Sequence, residues 1–133
     1  MTDIVKEKDL LQLCVEYEQL SITEKITIID CLEKYLYSKR NSLSNVDTLI
    51  VSLVLQCTSA NQYHFRRVSV RCLAYLSCSD YSDIAISELN KAVLDPSDYV
   101  RRDIINICRN NYVSQDLSRG LLSILCKDAN YNC

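Results

Sequence analysis

The segment IAISELNKAVLDPSDYVRRDIINIC, residues 84–108, decides the fold. Its first half belongs to an apolar helical run from Tyr81 to Leu94. Its second half places Val100, Ile104, Ile107 and Cys108 on one face at helical spacing. Between the two, Asp95-Pro96 reads as an N-cap followed by proline at the first helical position, where the missing N–H is no loss. Asn110-Asn111 can end the second helix, because asparagine substitutes for glycine in a left-handed C-cap. The segment is therefore a helix, a short polar turn and a returning helix.

The same pattern extends outward in both directions. Tyr63 to Leu76 turns Phe65, Val68, Cys72, Leu73 and Leu76 to one side, and Ser77-Cys-Ser-Asp80 separates it from Tyr81. Val46 to Cys57 carries Val46, Leu49, Ile50, Leu53, Val54 and Cys57 on one stripe, with Val51 and Leu55 off it. A helix apolar nearly all round is expected at the centre of a fold. Ser21-Ile-Thr-Glu24 is a capping box that opens a run to about Lys39, with Ile22, Ile26, Ile29, Leu32 and Leu36 in line. A first run, Thr2 to Gln19, aligns Leu10, Leu13, Cys14 and Tyr17. Ser114 caps a last run using Leu117, Leu121, Ile124 and Leu125.

The expected fold is all-α, with six or seven antiparallel helices in one domain over residues 1–128. Hairpins fall at about 2–39, 46–76 and 81–110, a capping helix at 115–128, and a flexible tail at 129–133. The short loops favour stacked hairpins, with a closed compact bundle as the other arrangement.

Composition agrees. The chain of 133 residues has one glycine, Gly120, and one proline, Pro96. Sheet proteins need glycine for hairpin turns and bulges, and phosphate-cradling loops need several close together, so both are excluded. Hydrophobic residues make up 48% and charged residues 24%, enough apolar surface to fold without disulfides or metal. The net charge of −2 gives no overall pull toward polyanions. Residues 1–20 carry Asp3, Lys6, Glu7, Lys8 and Asp9 where a secretory leader would be apolar, and no stretch is long enough to span a membrane. The eight cysteines mostly fall on apolar faces, so reduced, buried thiols and a cytoplasmic location are expected.

An offset of 35 residues aligns Phe65-Arg66-Arg67 with Val100-Arg101-Arg102, Arg71 with Asn106, and Cys72 with Ile107. A repeat of this length is an α-solenoid unit. Ile84 to Cys108 resembles a HEAT repeat in its apolar first helix, its Asp95-Pro96 turn and the Val100-Arg101 that follows. Val46 to Leu76 looks like a weaker copy without the Asp-Pro. That resemblance implies that Arg66 and Arg101 are structural, each reaching the turn acid of a neighbouring repeat.

Little in the sequence suggests catalysis or metal binding. His64 is the only histidine, there is no Cys-x-x-Cys, and Cys72 and Cys78 have no ligand pair opposite. His64 is expected to be an ordinary turn or surface residue, and no cofactor, metal or catalytic residue is assigned. Asp80 with Asp83, and Asp95 with Asp98, sit where carboxylates complement helix dipoles.

The arginines carry more information. Residues 41–79 hold Arg66, Arg67 and Arg71 against one acid, Asp47, whereas residues 1–40 and 80–133 each hold eight acids and six bases. Tyr63, Arg67 and Arg71 recur at i, i+4 and i+8 on one helix face. Tyr99, Arg102, Asn106 and Arg109 form the matching stripe. Tyrosine and arginine are enriched in protein interfaces, so these seven residues are the expected partner-binding set, against the alternative of a solvated face with i,i+4 ion pairs. In size and architecture the chain is similar to small bacterial immunity proteins. That likeness implies a binding protein that neutralises a toxin by steric occlusion. An adaptor subunit is the alternative, and a nucleic-acid binder using the arginine stripe is a weaker one.

Overall fold

The computed structural model describes residues 7–41 and 46–127. The expected tail 129–133 and the first residues of the first run lie outside them. Seven α-helices occur among the described residues, and no strand does. They are α1 (Glu7–Glu16), α2 (Ile22–Ser38), α3 (Thr48–Cys57), α4 (Tyr63–Leu76), α5 (Ser82–Ala92), α6 (Asp98–Arg109) and α7 (Gln115–Leu125), with one 3₁₀ turn, Tyr17–Gln19, after α1.

Local chemistry sets most boundaries. Ser21 Oγ accepts from the Glu24 amide at 3.2 Å while Glu24 Oε1 accepts from the Ser21 amide at 3.0 Å, completing the capping box of α2. Asp47 caps α3 by accepting from the Leu49 amide, and Ser114 caps α7 by accepting from the Leu117 amide. Asn111 takes φ 59°, and the Tyr112 and Asn111 amides return to the Ile107 and Cys108 carbonyls. That pair of bonds is a Schellman closure.

The Asp95-Pro96 reading is corrected. The N-cap of α6 is Ser97, without a side-chain bond, and the helix starts at Asp98. Asp95 lies two residues earlier, where Oδ1 accepts from the Ser97 amide at 2.8 Å and both its oxygens bind Arg66. A bidentate guanidinium holds the carboxylate in the turn, away from the free amides of α6.

The helices form two layers. α4 packs against both α2 and α6, and also against α3 and α5, while α1 packs on α3 and α5 on α7. Cross-helix pairs rise together along the chain: Asp30 with His64, Glu33 with Arg71 and Tyr37 with Tyr75 between α2 and α4. Tyr63 with Tyr99, Arg67 with Asp103 and Tyr75 with Tyr112 continue the series onto α6. So α2, α4 and α6 run parallel, and the helices between them must return in the opposite sense.

The central helix is α4 and not α3. Nine of the fourteen residues of α4 are buried, including Val70, Ala74 and Tyr75 in addition to the five expected to face inward. α3 buries Ile50, Val51, Leu53, Val54 and Cys57 but leaves Leu49 42% exposed. Neighbours on four sides bury α4 despite its three arginines, because Arg67 and Arg71 find carboxylates on the flanking helices and Arg66 finds Asp95 in the turn before α6. Ile22, expected in line with the α2 core, is half exposed at the first turn of that helix. One continuous core runs from Leu10 to Leu125.

Among the described residues, six cysteines are free thiols. Cys57, Cys72 and Cys108 are buried, Cys14 and Cys31 half-buried, and Cys78 exposed in the α4–α5 turn. Cys126 departs from the expected pattern, being exposed and disulfide-bonded. No helix among the described residues is long and apolar enough to cross a membrane.

Candidate functional site

Arg67, Arg71 and Arg102, with Tyr37, Tyr63, Tyr75, Tyr99 and Tyr112, lie along α2, α4, α6 and the turn after α6, arranged in three zones along the parallel helices. At the N-terminal end, the rings of Tyr63 and Tyr99 stack with centroids 5.2 Å apart and planes 17° from parallel. They are 45% and 54% exposed, which is high for a stacked aromatic pair. Arg67 lies with its guanidinium 5.7 Å from the Tyr99 ring.

The middle zone is an ion-pair network. Arg71 Nε and Nη2 donate to the two oxygens of Glu33 at 2.8 and 3.0 Å, and Nη1 donates to Asp103 at 3.2 Å. Arg67 Nε donates to the same Asp103 oxygen at 2.7 Å. Asp103 is 5% exposed, so its charge is held inside the face by two cations. Desolvation opposes the charge on Arg71, but hydrogen bonds and attraction from Glu33, with Asp103, outweigh it and raise its pKa.

The third zone lies at the C-terminal end. Tyr37, Tyr75 and Tyr112 meet edge-to-face, with centroids 5.3–5.9 Å apart. The Arg40 guanidinium sits 3.9 Å from the centroid of Tyr37. Burial raises the pKa of Tyr75, so its hydroxyl stays protonated; the Glu33 carboxylate adds to the effect.

The seven residues expected to bind a partner are thus placed unequally. Tyr63, Tyr99 and Arg67 meet at one end. Arg102 is one turn from Tyr99, 59% exposed, with Nε 2.8 Å from Asp98 Oδ2. Asn106 and Arg109 are exposed further along α6. Arg71 is engaged by Glu33 and Asp103 across three helices and is three-quarters buried.

Arg66 reaches the turn acid of the following hairpin, Asp95, as expected, and Nη1 also donates to the carbonyls of Ala60 and Asn61. Arg101 donates to the Asp95 carbonyl and to Asp98, both in its own hairpin. His64 is half-buried and pairs with Asp30 at 3.3 Å. No group of three or more metal-ligating side chains occurs among the described residues.

Sequence reasoning did not single out Tyr37, Tyr75 and Tyr112. Their spacing was available: 75 − 37 is 38 and 112 − 75 is 37, close to the interval that joins Glu33 to Arg71 and Arg67 to Asp103. Compared with known proteins, the chain matches no family model, no curated protein and no solved structure.

Proposed function

We propose that this chain is a cytoplasmic protein-binding module that neutralises its partner by steric occlusion, as an immunity protein does a toxin. The exposed Tyr63–Tyr99 stack carries the reading. Two tyrosine rings left half in water, beside the guanidinium groups of Arg67 and Arg102, present the residue types that dominate protein interfaces. The Arg66–Asp95 bridge between successive hairpins supports a HEAT-like arrangement, in which a face shared by parallel helices is the natural contact surface.

The test uses tagged protein to capture a partner from its native cytosol and a double variant, Tyr63→Ala with Arg102→Ala. Both positions are exposed, so the variant should keep its helical content and lose a one-to-one complex. Unchanged capture by the variant would refute the reading.

The adaptor reading draws on a separate observation. The Tyr37–Tyr112 cluster at the opposite end of the face is a second aromatic surface with its own arginine, Arg40. Two partners held at once, one lost with Tyr63→Ala and the other with Tyr37→Ala, would establish an adaptor.

A further inference from the structure

Two arginines of this face are held differently from the rest. Arg66 and Arg71 have all three guanidinium nitrogens engaged by carboxylates or carbonyls. Arg67 uses Nε alone, on Asp103, and its side chain is 36% exposed. Arg102 likewise has Nε against Asp98 and is 59% exposed. Among the described residues, the terminal nitrogens of Arg67 and Arg102 have no protein partner. The Tyr99 ring lies 5.7 Å from the Arg67 guanidinium, and Arg102 follows Tyr99 by one turn of α6.

We propose that Arg67 and Arg102, with the Tyr63–Tyr99 stack, form a receptor for the carboxylates of an acidic protein segment in which two acids flank an apolar side chain. This rests on the protein-binding reading above and names the chemistry of the partner. A guanidinium fixed through Nε still presents its two Nη groups side by side, a donor pair that matches the two oxygens of a carboxylate. The exposed, stacked rings of Tyr63 and Tyr99 offer apolar area beside the Arg67 fork.

Charge favours a protein over a nucleic acid. Asp103, shared with Arg71, and Asp98, shared with Arg101, lie against Arg67 and Arg102, and Glu33 pairs Arg71, so carboxylates interrupt the cationic surface and reduce its net field. A phosphate polymer depends on that field and on counterion release. A single carboxylate bound by paired hydrogen bonds does not.

The test is an NMR titration of the full chain at low salt, following Arg side-chain N–H and Tyr ring signals. The probes are the capped peptide Glu-Leu-Glu, its Gln-Leu-Gln analogue, inorganic phosphate and a short oligothymidylate. The Glu peptide should move the Arg67, Arg102 and Tyr99 signals and the Gln peptide should not. Arg102→Gln should weaken the Glu peptide by about tenfold, the loss of one charge-assisted contact. Phosphate or oligothymidylate acting at lower concentration than the Glu peptide would overturn the assignment in favour of a phosphate site. No movement with the Glu peptide would overturn the receptor outright. That result would leave partner capture untouched, so the two failures are read in different experiments.

Discussion

Removing the Asp103 carboxylate should destabilise the protein far more than breaking an ordinary surface ion pair. Asp103 accepts from Arg67 at 2.7 Å and from Arg71 at 3.2 Å while almost fully buried. In Asp103→Ala, Arg71 keeps both bonds to Glu33, so its loss is one charge-assisted hydrogen bond, about 1.5 kcal/mol. The Arg67 bond is shorter, but that side chain is a third exposed and rehydrates, which reduces its share to about 1 kcal/mol. The total is about 2.5 kcal/mol, or about 8–10 °C in Tm for a domain of this size.

Urea unfolding followed by helical circular dichroism would show the midpoint falling with an unchanged slope. The same substitution made on Arg67→Ala, Arg71→Ala should be neutral or stabilising, because there it removes a buried carboxylate that has lost its partners. A loss below about 0.5 kcal/mol in the otherwise native protein would refute the network as a structural element and return it to the class of exposed pairs.

Three further outcomes follow from named contacts. Arg66→Ala should cost about 3 kcal/mol in urea unfolding, and Arg66→Lys should recover little of it, because an ammonium cannot fork onto both oxygens of Asp95. Asn111→Ala should cost about 1 kcal/mol and Asn111→Gly almost nothing, read as Tm shifts, since the residue sits at φ 59°. The Cys14 and Cys57 thiols are both pushed up from 9.0 to about 11 by burial, helped at Cys14 by the Asp47 carboxylate. The unfolded chain therefore loses those protons first. Their contribution to stability is complete below pH 9.0 and is lost as pH rises toward 11, so Tm should fall over that window and fall less in a Cys14→Ser, Cys57→Ser variant.

Features decided within a few residues were legible in the sequence. The Ser21–Glu24 box, the Ser114 cap and the left-handed Asn111 each depend on backbone groups no more than four residues away. The apolar stripe of α4 was also legible, because helical periodicity does not depend on partners. What depended on partners was not. Asp95 has the composition of an N-cap, but Arg66, 29 residues earlier, competes for it. The expected stripe placed Arg67 and Arg71 on an outward face, for a partner or for solvent. Their carboxylates, Asp103 and Glu33, lie 36 and 38 residues away on other helices and become neighbours only once α2, α4 and α6 lie side by side. Using one offset of 35 also set Arg102 opposite Arg67, whereas the contacts put Asp103 there.

The anchoring of Arg67 through its Nε has a kinetic consequence. A free arginine side chain gives up about 2 kcal/mol of rotamer entropy when it is immobilised. Here much of that ordering has already occurred during folding, against Asp103 and the Tyr99 ring. If this face binds a protein as proposed, that partner would have less freedom to quench, and the saving would lengthen the residence time of the complex more than it speeds the encounter.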